Sequence, residues 1–173
     1  MTIRTNKSKL FAWDFHGTLE QGTEVGFMQI LKELAREINY PLKINLSEVR
    51  KLYGETVLDY LRHFFPKLSA EEHFNLRIKI RTAQNNKNVA KHIKAAPYAR
   101  EVLAKIKKRG HKNVVVSTSS EEHINWFLKH VGIATHLDDI LAIDRHMSDA
   151  KFDIAKEKAK IIQNYVQKHG FAT

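Results

Sequence analysis

The sequence predicts an α/β protein built on a parallel sheet, with a helical region inserted into it. Three short apolar runs, at residues 10–13, 114–116 and 140–143, are typical of buried strands. Helical hydrophobic patterns alternate with the later strands, which favours a parallel sheet covered by helices on both faces. The stretch between the first and second runs is largely helical, and we interpret it as an insertion.

The insertion is marked by apolar side chains that recur at helical spacing from about residue 24 to 94. Ser69 and Glu72 form a capping-box pattern, which predicts that a helix begins there. Helices are therefore predicted around residues 25–34, 57–65 and 70–80.

The second half of the chain alternates helices with strands. Pro97 opens a predicted helix that Gly110 closes, and another helix is expected over about 121–131. After the last strand, a long helical pattern runs from about 148 to 168 and is followed by Gly170. This order continues the α/β pattern through the rest of the chain.

The composition is that of a folded protein, and the sequence contains no cysteine. Its 173 residues fit one core domain with a smaller insertion, and the lack of cysteine excludes disulfides and thiolate catalysis. Residues 1–9 are polar and basic, unlike a signal peptide, and no apolar run is long enough to span a bilayer. We therefore predict a cytoplasmic protein that does not enter a membrane.

The formal net charge of +10 favours anionic partners. Such a charge attracts nucleic acid, acidic membrane surfaces and phosphorylated small molecules alike. The basic residues are interleaved with glutamates on predicted helix faces, and no nucleic-acid-binding motif accompanies them. We therefore interpret the charge as a solvated surface rather than a nucleic-acid site.

The first candidate for chemistry follows the first strand, where residues 11–19 are Phe-Ala-Trp-Asp-Phe-His-Gly-Thr-Leu. Asp14 is placed on a tight turn, and Gly17 and Thr18 let backbone N–H groups face an anion. A carboxylate there can attack phosphorus as a nucleophile, although it can also simply cap a turn. The segment resembles the first motif of the haloacid dehalogenase (HAD) superfamily, in which an apolar strand leads into Asp-x-Asp-Gly-Thr.

The second candidate is the end of the 114–116 strand, which continues into Ser117, Thr118 and Ser119. It resembles the second HAD motif, in which a hydroxyl at a strand end holds the transferred phosphoryl group. The Ser-x-Ser pattern is similar to that of β-phosphoglucomutase-like members. Serine is also common in ordinary turns at the ends of strands, so Ser117 alone does not indicate the family. The resemblance depends on the order and spacing of the two motifs.

The third HAD motif is a lysine near the start of the last helix, which neutralises charge on the nucleophile and the phosphate. Lys158 lies just before an apolar pair, as the family's lysine does, and is preferred over Lys151, which follows the last strand more closely. Most other lysines of that helix are interpreted as solvent-facing.

The resemblance implies a Rossmann-like core formed by residues 1–20 and 95–173, with a C1-type helical cap at 21–94. It further implies Mg²⁺, bound by the Asp14 carboxylate and the main-chain carbonyl of His16. The implied substrate is a phosphorylated small molecule, whose identity the cap would set.

Two departures from the family pattern bear on the expected function. His16 stands where the family has the aspartate that protonates the leaving group; histidine can do that work near neutral pH or contribute only its carbonyl. The acidic loop of the fourth motif does not follow Gly170, so the chain is expected to be truncated or degenerate. Asp138 and Asp139 do not match that motif and are predicted to be ordinary loop carboxylates.

Two functions therefore stay open at this point. One is a magnesium-dependent phosphatase of the HAD type, which works through an aspartyl-phosphate intermediate. The other is a non-catalytic HAD-fold module that uses its basic surface to bind nucleic acid or a protein.

Overall fold

The computed structural model describes residues 8–83, 87–145 and 153–171. These residues divide into two compact units. Within the described residues, the first unit comprises 8–19, 95–144 and 153–171, and the second comprises 20–83, 87–94 and Arg145. No helix in this part of the chain is both long and apolar enough to cross a bilayer.

The described elements follow one another in the order that the α/β prediction requires, with most of the helices between the first and fourth strands. In chain order they are β1 (Leu10–Trp13), β2 (Glu20–Gln21), α1 (Thr23–Glu37), α2 (Leu46–Lys51), α3 (Val57–Phe64), α4 (Ala70–Ala83), α5 (Lys87–Ala90), β3 (Lys94–Ala95), α6 (Ala99–Lys108), β4 (Lys112–Ser117), α7 (Glu121–His130), a 3₁₀ turn (Ala134–His136), β5 (Asp139–Ala142) and α8 (Ile154–His169).

A three-stranded parallel sheet lies at the centre of the first unit, in the order β1-β4-β5. Trp13 at the end of β1 pairs with Val115, and Ser117 at the end of β4 pairs with Ala142. The carboxyl ends of the three strands therefore meet at one edge of the sheet, where β1 and β4 both enter loops.

The central strand β4 is buried on both faces of this sheet. The cluster on one face consists of Val114, Val116 and Leu141, with Leu10 and the α8 side chains Ile161, Ile162 and Tyr165 packed against it. Val115 is also fully buried and points to the other face, because side chains alternate along a strand. The α6 helix contacts β4, and α7 contacts β5. Burial on both faces explains why residues 114–116 are uniformly apolar rather than alternating.

The second unit is helical and has its own core. Helix α1 packs on α2, α4 and α5, and α3 packs on α4. Side chains that are almost fully buried there include Ile30, Leu31, Leu34, Leu61, Phe64, Phe65, Leu76 and Ile80. Ser69 and Glu72 make the reciprocal hydrogen bonds of the predicted capping box, at 2.7 and 3.2 Å. Gly26 is buried against Val89, whose Cγ1 would lie only 2.6 Å from an added Cβ, so this close approach requires glycine.

The α/β class and the parallel sheet predicted from the sequence are confirmed. All three core strands lie within two residues of their predicted bounds. The short helices α2 and α5 were not predicted. Helix α8 begins at Ile154 within the described residues, and the predicted start near 148 lies outside them.

Candidate active site

The carboxyl ends of β1 and β4 bring Asp14 and Ser117 to the same edge of the sheet. Asp14 directly follows β1, and Ser117 is the last residue of β4. The strands are hydrogen-bonded neighbours in parallel, with Trp13 opposite Val115. This is the edge at which open parallel sheets bind their ligands, so the register agrees with the shared site expected from the two motifs.

The Asp14 carboxylate is held by two contacts to its Oδ1 atom. The Phe15 N–H donates to Oδ1 at 2.9 Å, and the Nζ of Lys158 lies 3.0 Å from the same oxygen. The Asp14 side chain is 52% exposed and that of Lys158 is 23% exposed. The carboxylate is therefore oriented but still open to solvent, and the adjacent ammonium can offset the charge of an incoming anion.

Helix α8 positions Lys158. The Asp153 side chain caps the helix by accepting a hydrogen bond from the Lys156 N–H at 3.1 Å. Ile161 and Ile162 anchor the next turn against the buried face of the sheet. Of the two lysines proposed from the sequence, Lys158 lies beside Asp14, whereas Lys151 lies outside the described residues.

A tight turn follows Asp14. The N–H groups of Thr18 and Leu19 both donate to the Phe15 carbonyl, at 3.1 and 2.9 Å. Gly17 has a φ of 76°, a left-handed conformation that glycine adopts without strain. Phe15 and Leu19, at the two ends of the turn, are both buried, which holds the turn in place. The Thr18 N–H, expected from the sequence to face an anion, is therefore used inside the turn.

The loop after β4 is held by its own serines. Ser117 and Ser119 are both buried, and the Ser119 N–H donates to the Ser117 Oγ at 3.2 Å. The Ser117 carbonyl accepts the Ile143 N–H at 2.9 Å, while Thr118 is half-buried. The Ser117 hydroxyl accepts one hydrogen bond here and still has a proton to donate to an anion at the sheet edge.

His16 lies in an aromatic cluster. Its ring centroid is 5.1 Å from that of Phe15 and 5.5 Å from that of Phe127, and both contacts are edge-on. The His16 Nε2 is 3.3 Å from the Ser119 Oγ. Phe127 is 3% exposed and lies on α7, within the helix predicted over about 121–131, but no sequence pattern linked it to His16.

The chain matches a known protein family over almost its whole length. The sequence model of the haloacid dehalogenase-like hydrolases matches residues 11–172. The chain belongs to the haloacid dehalogenase-like hydrolase family. None of the curated proteins matches the chain.

Solved structures share the HAD fold with this chain. A candidate phosphatase from Clostridium difficile aligns with a TM-score of 0.74 at 15% identity, covering 96% of this chain and 72% of that chain. A haloacid dehalogenase-like family hydrolase from Streptococcus pneumoniae has a TM-score of 0.73 at 16% identity, with coverages of 95% and 71%. A candidate phosphoglycolate phosphatase from Haemophilus somnus has a TM-score of 0.68 at 16% identity, with coverages of 93% and 73%. These similarities establish the fold.

HAD-family hydrolases generally use Mg²⁺, an ion that binds oxygen ligands. Within residues 8–83, 87–145 and 153–171, no three His, Asp or Glu side chains are grouped to hold a metal. Mg²⁺, however, is usually bound through one or two carboxylates together with water and substrate phosphate. The Asp14 carboxylate is a donor of that kind, and the main-chain carbonyl of His16, two residues later, is a further oxygen that could join it. The donor set therefore fits an ion that is shared with a phosphate.

Asp138 and Asp139 lie at the start of β5, away from the edge that carries Asp14. Asp138 accepts hydrogen bonds from the Asn113 N–H and the Lys112 ammonium, each at 2.9 Å. Its contacts are those of a carboxylate that holds the sheet together.

Proposed function

We propose that this HAD-family protein is a phosphatase that hydrolyses a phosphorylated small molecule through an aspartyl-phosphate intermediate. The single observation that carries the proposal is the Lys158 ammonium 3.0 Å from the Asp14 carboxylate, at the sheet edge where β4 ends in Ser117. The family to which the chain belongs is described as hydrolases, which supports the reaction type. Two structures of the same fold are described as phosphatases.

The proposed chemistry begins with Asp14. One carboxylate oxygen attacks phosphorus as the bond from phosphorus to the leaving oxygen breaks, and the leaving oxygen takes up a proton. Water then attacks the acyl phosphate, which releases inorganic phosphate and restores Asp14. Lys158 offsets negative charge on the transferred group, and the Ser117 hydroxyl donates to one of its oxygens.

His16 is the proposed proton donor to the leaving oxygen, because it lies two residues after Asp14, in the tight turn that follows the nucleophile. Mg²⁺ held by the Asp14 carboxylate and the His16 carbonyl would offset charge on the phosphoryl oxygens. We further propose that residues 21–94 act as the cap that selects the substrate.

The nucleophile is tested with Asp14→Asn, assayed with magnesium on an activated aryl phosphate. An amide is far too weak a nucleophile to form the acyl phosphate, so turnover should be abolished while the circular dichroism spectrum is unchanged. Asp139→Asn, at the opposite end of the sheet, is the matched control and should retain activity. Equal, measurable rates for Asp14→Asn and the unmodified chain would reject Asp14 as the nucleophile, whereas no turnover by either chain would favour the non-catalytic module.

The proton donor is tested with His16→Ala on two esters that differ in leaving group. Loss of a general acid typically lowers the rate by about 10²- to 10⁴-fold, and by less when the leaving group needs no proton. An alkyl phosphate should therefore show the full defect and an activated aryl phosphate a smaller one. The same defect on both esters would leave His16 with only its carbonyl role.

A further inference from the structure

We propose that Ser119 is a positioning residue for the His16 imidazole rather than a ligand of the phosphoryl group. The Ser119 Oγ lies 3.3 Å from the His16 Nε2, although 103 residues separate the two in the sequence. The Ser-x-Ser pattern alone would assign both serine hydroxyls to the phosphate. The consequence of this contact for hydrolysis rests on the proposed function, whereas the contact itself does not.

Ser119 is fixed strongly enough to serve as an anchor. It is 3% exposed, and its N–H donates to the Ser117 Oγ at 3.2 Å. The next residue, Ser120, caps α7 by accepting the His123 N–H at 3.3 Å. Ser119 therefore lies on a short, hydrogen-bonded connection between the end of β4 and the start of α7, with its backbone held and its side chain buried.

The aromatic contacts of His16 restrict the plane of its ring but leave one ambiguity. Phe15 and Phe127 meet the imidazole at 71° and 85°. A 180° flip of the ring about the Cβ–Cγ bond exchanges nitrogen and carbon positions and barely changes the outline of the ring. Packing against two phenyl groups therefore selects poorly between the two orientations. A hydrogen bond to Nε2 does select, because the flipped ring would present a carbon to the hydroxyl.

The contact selects this orientation whichever of the two groups donates, because a serine hydroxyl can either donate to Nε2 or accept from it. In hydrolysis, Ser119 thus keeps one orientation of His16 ready for the leaving oxygen. Ser119→Ala should slow an alkyl phosphate more than an activated aryl phosphate, in the pattern of His16→Ala but to a smaller extent. In a His16→Ala background, Ser119→Ala should have no further effect, and an equal effect in both backgrounds would contradict the proposal.

The direct experiment uses the 173-residue chain labelled with ¹⁵N-histidine, and it requires no turnover. Ser119→Ala should shift the ring nitrogen resonances of His16 and average them between orientations, while backbone amide signals away from the cluster stay in place. Ser47→Ala, an exposed serine on α2, is the matched control and should leave His16 unchanged. Unchanged His16 resonances in folded Ser119→Ala would overturn the proposal. If that variant fails to fold, Ser119→Cys keeps the shape with a weaker donor and should give the same shift.

A titration with inorganic phosphate and magnesium separates this proposal from the phosphate-ligand alternative. As a positioning residue, Ser119 can be replaced by alanine without loss of phosphate affinity. A donor to the phosphate itself would lose roughly 10- to 150-fold, as expected for a hydrogen bond to a charged group, and that result would reassign Ser119 to the phosphate. A chain that hydrolyses no ester would count against the proposed function alone, because the His16 resonances still decide the role of Ser119.

Discussion

At the scale of single residues, one buried asparagine joins three segments of the first unit. Asn113 is fully buried, and its Nδ2 donates to the carbonyls of Leu103 at 3.0 Å and His136 at 3.1 Å. Its Oδ1 accepts the Trp13 Nε1–H at 3.0 Å. The side chain therefore links β4 to β1, to α6 and to the 3₁₀ turn before β5. No pattern in the sequence indicates this role, because Asn113 simply precedes an apolar run.

Replacing Asn113 tests how much these hydrogen bonds contribute. Asn113→Ala leaves one buried and two partly buried polar groups without their partner, and a fully buried group of this kind typically costs about 1–3 kcal/mol. Trp13→Phe removes only one of the three bonds. We expect Asn113→Ala to lower the free energy of unfolding clearly more than Trp13→Phe, as measured by urea titration at neutral pH. Equal losses in the two variants would show that the bonds to Leu103 and His136 contribute little.

At the scale of elements, Asp138 ties the start of β5 to the start of β4. Burial alone would raise the pKa of Asp138, but the hydrogen bonds from Asn113 and Lys112 outweigh it and hold the pKa below its ordinary value. The Asp138 side chain is only 12% exposed, so solvent screens these contacts weakly. Its stabilising contribution is therefore present above the pKa of the unfolded chain, about 4, and is lost as the pH falls through the lower folded value.

Asp138→Asn tests this pH dependence. We expect the variant to be less stable than the unmodified chain by roughly 1–3 kcal/mol at pH 7, because a buried charged hydrogen bond is weakened. The difference should shrink as urea titrations are repeated at pH values below about 4, because the carboxylate is protonated first in the unfolded chain and then, as the pH falls through the lower pKa of the folded state, in the native protein. Glu33→Gln on α1, an exposed carboxylate, serves as the control and should show no such trend. A difference that stays constant with pH would mean that the charge of Asp138 is not what stabilises the strands.

The elements that the sequence predicted are those with a strong local pattern. Uniform apolar runs marked β1, β4 and β5, and helical periodicity marked the long helices, since both patterns depend on neighbouring residues. The short helices α2 and α5 offer too few turns for a period to show. The pairs Trp13–Asn113 and His16–Ser119 join residues 100 and 103 positions apart, so only tertiary structure reveals them.

At the scale of the whole molecule, the chain consists of two compact units with separate cores. The motifs at Asp14 and Ser117 were recognisable because each follows a strand, and their shared edge follows from the parallel sheet. The position of Lys158 beside Asp14 depended on how α8 packs, which the sequence left open between two lysines. The contact of Ser119 with His16 could not be predicted from the sequence, because the Ser-x-Ser motif suggests the phosphate as the partner of Ser119.

The helical part of the second unit should fold on its own as the fragment of residues 20–94. It contains a contiguous set of packed helices, two capping boxes and a core in which Leu61 is fully buried. A domain of this size is only marginally stable, so we expect a helical circular dichroism spectrum with a cooperative urea transition at a low midpoint. Leu61→Asp should abolish the transition, because it places an unpaired charge in the core, whereas Lys67→Asp on the surface should preserve it. A fragment that is unfolded without urea would show that the helices depend on the sheet-containing unit for their stability.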